Sequence, residues 1–423
     1  MFKIRKLKIE NFKAVRHFEY DGWQQVNMFV GMNGAGKSTL LQAIDVLFSW
    51  FVARLRNAKG AGYKLTDEDI THGCHYVRLE IELENGTAWS LYKQKTSVRT
   101  TPPEKSKLEG LMAWVNDIVT INEGIAPELR SLPVYVCYGV NRTVTQVPMR
   151  IHKAHAMGVN EVYADNHQQT MNFMTFFKWF REREDLENEM LRDLGQPVED
   201  TQLKAVREAI RRMLPGFDDM RVDRRHAGFT IAKEGERMRI ESLSDGEKAY
   251  ILLVADVARR LAMANPGLKD ALEAEGVVLI DEVELHLHPE WQRDMLPLLK
   301  KTFRRCQFVV TSHAPLVLGN VNTKDGYSLH VMRGGEAVYE QANLYGRSAE
   351  YILSASTMSV TNTYASEVKK HVDAAKECLR RGEWDTPEFE ASLSWLKQHV
   401  DPNDEKITWI NMQANINKLK RKP

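Results

Sequence analysis

The run Gly31-Met-Asn-Gly-Ala-Gly-Lys37-Ser38-Thr39 follows directly on the apolar stretch Val26 to Val30 and opens the amphipathic segment Ser38–Arg56. Nothing else in the sequence restricts the fold as much. The pattern G-x-x-x-x-G-K-[ST] between a buried strand and a helix forces a strand–loop–helix unit. Its glycines let consecutive backbone N–H groups curl around a phosphate, and the helix start adds its positive dipole end. The backbone of Asn33, Gly34, Ala35, Gly36 and Thr39 forms the cradle. Lys37 reaches β- and γ-phosphate oxygens, and the Ser38 hydroxyl completes a Mg²⁺ shell. A purely structural glycine turn would not need both flanking elements in register.

A chain of 423 residues exceeds one ordinary domain, and its 43% apolar and 27% charged residues are those of a soluble globular protein. The net charge of +1 gives no global field toward nucleic acid or membrane, so any such contact needs a local patch. No apolar run reaches the length of a membrane span. The N-terminal MFKIRKLKIENFK alternates where a signal sequence would be continuously apolar, so the expected location is cytoplasmic, with no membrane partner. Cys74, Cys137, Cys306 and Cys378 are scattered without disulfide-framework spacing. Cys74 lies between His72 and His75 but has no second ligand pair nearby, which favours a core role over zinc.

Residues 2–10 alternate as a strand, and VRLEIEL-ENG-TAWSLYKQ reads as a hairpin around Asn85-Gly86. Residues 92–108 hold two prolines and many cations, which predicts a surface loop. Leu132 to Val140 is a buried strand. Residues 165–213 are strongly helical, with Met171, Phe173, Met174, Phe176, Phe177, Trp179 and Phe180 on one thick face that reads as core packing. Strand character returns over 228–240, followed by a helix over Lys248–Ala264, a strand over Val277–Ile280, a helix over Glu290–Phe303 and a strand over Phe308–Thr311. Strands alternating with helices point to a parallel α/β sheet covered on both faces. From Ser348 the chain reads as helical and charged.

The strand Gly276-Val-Val-Leu-Ile280 runs straight into Asp281-Glu282. Beside a phosphate loop, Asp281 can hold Mg²⁺ and Glu282 can orient or deprotonate the attacking water. The next apolar strand ends in Ser312-His313, where a histidine is placed to sense a γ-phosphate. Glu241-Ser-Leu-Ser244-Asp-Gly246-Glu247-Lys248 leads into a helix that Ser244 caps, and Gly246 permits close backbone approach by an anion. One protomer does not need two anion-binding helix starts. The second makes sense if it closes over the nucleotide of another copy.

Together, Gly31–Thr39, Leu243–Lys248, Val277–Glu282 and His313 resemble the ATP-binding-cassette ATPases of the SMC/RecF/Rad50 branch and the overcoming-lysogenization-defect (OLD)-like group. Asn11-Phe12-Lys13 matches that branch after its first strand, and Asp281-Glu-Val-Glu-Leu-His286-Leu-His288-Pro289 is the version of small RecF-like ATPases. The resemblance covers roughly residues 2 to 347. It implies an α/β ATPase head with an N-terminal β-rich lobe (1–158), a compact helical insertion (159–226), a second ATPase lobe (227–347) and a helical tail (348–423). It further implies that Lys13, Gly34, Gly36, Lys37 and Ser38 serve ATP and Mg²⁺, that Asp281 partners the metal, that Glu282 is the base, and that His313 is the switch. Ser244, Gly246 and Glu247 would meet ATP across a head-to-head dimer. Two positions depart from the pattern. His288 stands where many members carry an aspartate, and Gln146 is the candidate for the glutamine that usually joins the Mg²⁺ shell.

The insertion is too short and lacks the heptads for a long coiled-coil arm. No strand with spaced acids follows Arg347, so the chain is expected to be an ATPase without its own nuclease. The segments FMTFFKWFRERED and YGRSAEYIL resemble ATPase subunits of anti-phage systems of the Septu type, also found with some retrons, where an HNH nuclease is the separate effector. The implied partners are a second copy of the chain, or a higher even-numbered oligomer, and that nuclease. A RecF-like repair ATPase clamping DNA is the alternative. Double-stranded DNA could meet the loop 92–108, the cluster Arg221–Arg225 or the tail Lys418–Lys422.

Overall fold

The computed structural model describes residues 1–99, 101–140, 159–163, 173–196, 199–224, 228–339, 344–354, 365–401 and 404–420. In chain order the elements are β1 (Ile4–Phe12), β2 (Val15–Tyr20), β3 (Val26–Val30), α1 (Lys37–Arg56), β4 (Tyr76–Leu83), β5 (Ala88–Gln94), α2 (Glu109–Glu123) and β6 (Val134–Tyr138). There follow α3 (Val159–Val162), α4 (Phe173–Leu194), α5 (Thr201–Met213), β7 (Phe217–Asp223), β8 (Gly228–Lys233), β9 (Glu236–Arg239), α6 (Asp245–Ala264) and β10 (Gly276–Ile280). The remainder are α7 (Pro289–Thr302), β11 (Cys306–Ser312), α8 (Pro315–Leu318), β12 (Tyr327–Arg333), β13 (Glu336–Tyr339), α9 (Ala349–Ser354), α10 (Ser366–Arg381), α11 (Pro387–His399) and α12 (Glu405–Lys420). The chain divides into two compact units, Met1–Ile352 and Leu353–Pro423.

Among the described residues, ten strands of the first unit form one sheet in the order β5-β4-β1-β2-β13-β12-β3-β11-β10-β6. Its two halves have different grammars. β12, β3, β11, β10 and β6 run parallel, and their residues are buried almost throughout because both faces are covered. β1, β2, β4 and β5 pair antiparallel, and β4 alternates strictly between buried and half-buried positions, as one covered face requires. This is the α/β architecture expected from the motifs, a parallel sheet with an antiparallel β-rich N-terminal part.

The central helix α1 packs against β1, β4, β6, β11 and α2. It fills the core with Leu40, Leu41, Ile44, Leu47, Phe48, Phe51 and Val52. Phe48 stacks on Tyr135 at 4.4 Å, and Phe51 stacks on Trp114 at 5.3 Å. Among the described residues α1 alone has the length and apolar character of a membrane span, and that character is accounted for by this burial.

The aromatic face of α4 is core. Phe176, Phe177 and Phe180 close around Phe229 of β8, with centroids 5.9, 4.6 and 5.1 Å away. Met171 and the side chains of Phe173 and Met174 lie outside the described residues. The insertion is not wholly helical: its end, Phe217–Asp223, is a strand, which with β8 and β9 makes a separate three-stranded sheet. In the second unit, α10, α11 and α12 enclose Val372, Ala375, Cys378, Phe389, Leu396, Ile407 and Ile410.

Candidate nucleotide site

Because β3, β10 and β11 are parallel, their C-terminal ends emerge on one edge of the sheet. In open α/β sheets that edge is where ligands bind. β3 delivers the glycine loop, β10 delivers Asp281 and Glu282, and β11, lying between them, delivers His313. With neighbouring strands about 4.8 Å apart, the loop and the acids are about 10 Å from each other across the strand that carries the histidine.

The loop is built by its glycines. Gly31 (φ 150°) leaves room for the carbonyl of Met332 on β12, which a Cβ would approach to 2.5 Å. Gly34 and Gly36 take φ of 78° and 102°, and Gly36 is the residue at which α1 begins. No side chain caps that start and no acid sits in its first turn. The N–H groups of a first helical turn have no intrahelical acceptor. An anion is therefore the natural complement. Asn33, Gly34 and Ser38 are exposed, Thr39 is half-buried, and Ala35, Gly36 and Lys37 are buried.

Lys37 is the site's cation. It is 6% exposed, and its ammonium donates to the carbonyl oxygens of Gly31 (2.8 Å) and Met32 (3.1 Å). Burial pushes its pKa below the ordinary lysine value, against the opposing pull of Glu282, Asp281 and Glu284. The lysine and three carboxylates thus share one electrostatic field. Lys13 sits in the tight turn between β1 and β2 with φ 49°, and its Nζ reaches Gln42 Oε1 of α1 at 3.1 Å and Asp69 Oδ1 at 3.4 Å. It stands beside the second turn of α1, next to the loop.

The acids and the histidine are laced together by two residues whose importance sequence spacing conceals. Thr311, fully buried at the end of β11, donates its hydroxyl to Asp281 Oδ1 (2.5 Å) and accepts the backbone N–H of Glu282 (2.7 Å). Its carbonyl accepts from Val283 N–H at 3.0 Å. Glu284 accepts the backbone N–H of His313 at 2.7 Å, and the same oxygen lies 3.2 Å from His313 Nδ1. These bonds hold Glu282 at φ 47°, a left-handed conformation that a non-glycine residue keeps only where its surroundings enforce it. The signal in the sequence was a threonine at the end of an apolar strand and an extra glutamate two residues past the acid pair.

The helix start Ser244–Lys248 is a complete capping box. Ser244 Oγ accepts from Glu247 N–H (3.3 Å), while the Glu247 carboxylate accepts from Ser244 N–H (2.8 Å) and its hydroxyl (2.9 Å). Glu247 also pairs with Lys233 at 2.7 Å, so in this chain its side chain is engaged in fixing α6. Ser244 is exposed. The close approach at Gly246 is made by the chain itself: a Cβ there would come within 2.0 Å of the His286 carbonyl oxygen. His286 has φ 65° and lies in the turn after the acids, so α6 begins against that turn. His288 N-caps α7, its Nδ1 accepting from Glu290 N–H at 3.4 Å. Gln146 lies outside the described residues.

Three cations of the candidate DNA contacts are ion-paired. Arg221 pairs with Asp219 at 2.7 Å, and Arg224 pairs with Glu184 at 3.0 Å and Asp185 at 2.6 Å. In the 92–108 loop Lys93 meets Asp67 at 3.3 Å. Arg225 and residues 421–423 lie outside the described residues.

Two family models match the chain: "AAA domain" over residues 6–214, and "AAA domain, putative AbiEii toxin, Type IV TA system" over 161–319. The chain is 28% identical to the Retron Vc95 probable ATPase of Vibrio cholerae serotype O1 biovar El Tor, over 76% of this chain and 72% of the relative. It is 24% identical to the Retron Ec83 probable ATPase of Escherichia coli, over 97% and 86%. To the Septu protein PtuA of Bacillus thuringiensis it is 21% identical, over 74% and 72%.

Proposed function

We propose that this chain, an ATPase related to the retron and Septu ATPases, works as a head-to-head homodimer or higher even-numbered oligomer with ATP at the interface. In this reading it is the nucleotide-sensing subunit of an anti-phage defence complex and controls a separate HNH-type nuclease. The observation that carries the reading is the convergence of the glycine loop, Asp281, Glu282 and His313 on one sheet edge, while the Ser244 helix start stands exposed to solvent.

The donors suit the ligand. An uncapped helix start, left-handed glycines and a buried ammonium complement phosphate, and the Ser38 hydroxyl with the Asp281 carboxylate is an oxygen set of the kind Mg²⁺ takes. Mg²⁺, when bound, neutralises charge on the β- and γ-phosphate oxygens. The backbone of Asn33 to Thr39 wraps the phosphates, and Lys37 trades the carbonyls of Gly31 and Met32 for phosphate oxygens. Glu282 accepts a proton from the attacking water or orients it, and His313 meets the γ-phosphate. Ser244 and Gly246 face the nucleotide held by a second copy. The defence reading is favoured over a DNA clamp by the retron and Septu relatives.

Weighing the Glu282→Gln protein in solution with and without ATP and Mg²⁺ tests the dimer. Retained ATP in a dimer or larger even-numbered species supports it. A monomer that holds ATP at saturation overturns it.

A further inference from the structure

Glu284 has no part in the site as the sequence presents it, yet its environment is demanding. The side chain is 6% exposed, and Oε2 is buried without a hydrogen-bond partner among the described residues. Oε1 accepts the His313 backbone N–H at 2.7 Å and stands 3.2 Å from His313 Nδ1. A carboxylate removed from water needs donors, and a charged one needs them most. Here both come from a single residue. If Nδ1 carried its lone pair instead of a hydrogen, two acceptors would face each other across 3.2 Å, and a buried charge would rest on one backbone N–H. The His313 ring is half exposed, and Nδ1 is the ring nitrogen that meets Glu284.

We propose that Glu284 is a positioning residue that holds His313 as the Nδ1–H tautomer with its ring locked in place, leaving Nε2 as the nitrogen presented to the nucleotide. A neutral His313 therefore offers Nε2 as an acceptor, and it becomes a donor to a phosphate oxygen only after gaining a proton there. The same carboxylate fixes the ring through its own backbone: one oxygen sets both where His313 starts and which way it faces. Where an outer carboxylate sets the tautomer and orientation of a metal-bound histidine, its removal costs about 10- to 100-fold, and the same scale is expected here.

The tautomer assignment concerns the resting protein, while its catalytic consequence rests on His313 meeting the γ-phosphate. The tests separate the two. Long-range ¹⁵N–¹H NMR on ring-labelled protein at about pH 8.5, where imidazole is neutral, reads the tautomer without ATP. The His313 signal is identified by its loss in His313→Gln. Protonated Nδ1 is expected in the parent and in Glu284→Gln, whose amide oxygen keeps the acceptor, with a shift toward the Nε2–H form in Glu284→Ala. A parent His313 already in the Nε2–H form, as a protonated Glu284 donating to Nδ1 would produce, overturns the proposal. So does a tautomer unchanged in Glu284→Ala. For ATPase turnover, Glu284→Ala is expected to lower kcat about 10- to 100-fold with little change in KM, and to have no further effect in a His313→Ala background. Equal losses in both backgrounds would mean Glu284 acts on the fold and not through His313.

Discussion

His330 provides a thermodynamic test of the sheet that carries the site. It lies on β12, 1% exposed, stacked on Phe29 at 4.7 Å and edge-on to Tyr20 at 4.4 Å. Its Nε2 is 3.2 Å from Ser328 Oγ, and that hydroxyl donates to Asn27 Oδ1 at 2.8 Å. Asn27 is fixed in turn because its amide nitrogen donates to Gln24 and Phe308 carbonyls, so Nε2 is the nitrogen that carries the hydrogen. Burial among these groups lowers the His330 pKa to about 4 from the ordinary 6.5. The neutral ring is the form the fold accepts. Between those two values the unfolded chain binds a proton that the native chain refuses, so stability falls as pH drops from 6.5 toward 4 and is unaffected above. The fall from 6.5 to about 4 amounts to about 3 kcal/mol in full, of which about 2 kcal/mol is lost by pH 5. Urea unfolding followed by tryptophan fluorescence can read this, since Trp23 lies 5.9 Å from Tyr20 and 6.2 Å from Phe29. His330→Phe keeps the stacking and cannot titrate. Its loss of stability between about pH 7.5 and about pH 5 is expected to be about 2 kcal/mol smaller than that of the parent. Equal losses would refute the reasoning, whatever the absolute stabilities.

Lys37→Ala removes the ammonium from the loop and should abolish ATP binding; unchanged affinity in calorimetry would displace the nucleotide from this loop. Thr311→Val keeps the shape of the side chain but removes the hydroxyl that donates to Asp281 and accepts from the half-buried Glu282 N–H. It should cost about 1–3 kcal/mol in urea unfolding and weaken Mg²⁺-dependent turnover, with Thr311→Ser restoring both. Gly246→Ala forces a Cβ against a backbone oxygen 2.0 Å away, where no flexible side chain can yield. Overpacking of that kind costs about 1–3 kcal/mol, and the displaced turn should lower ATPase rate. A variant matching the parent in melting and in rate would show that α6 does not press on the acid turn.

What was legible in the sequence follows from how local each signal is. The glycine loop, the acid pair and the apolar strands are local patterns, and they stand where they were expected. β2 was missed because VRHFEY is short and charged, and α2 because only Leu111 and Val115 of its fifteen residues are buried. β12 and β13 are read as strands only once β3 and β2 are there to pair with them. Thr311 and Glu284 are further cases, since the groups they bind lie about thirty residues away and are joined only by the parallel register that sets Ile280 beside Val310.

Gly246 has a packing role that its place in the sequence does not reveal. Its missing side chain leaves room for the carbonyl oxygen of His286, which a Cβ would approach to 2.0 Å. A glycine packed on the turn after the acids ties the start of α6 to that turn, whatever its backbone N–H meets. Ser244 is two residues from that contact and exposed, so the second copy proposed to dock there would meet α6 at the turn that packs on His286. In the proposed dimer, the route from the docked partner to Asp281 and Glu282 therefore runs through the packing of α6 on the His286 turn, within the same chain.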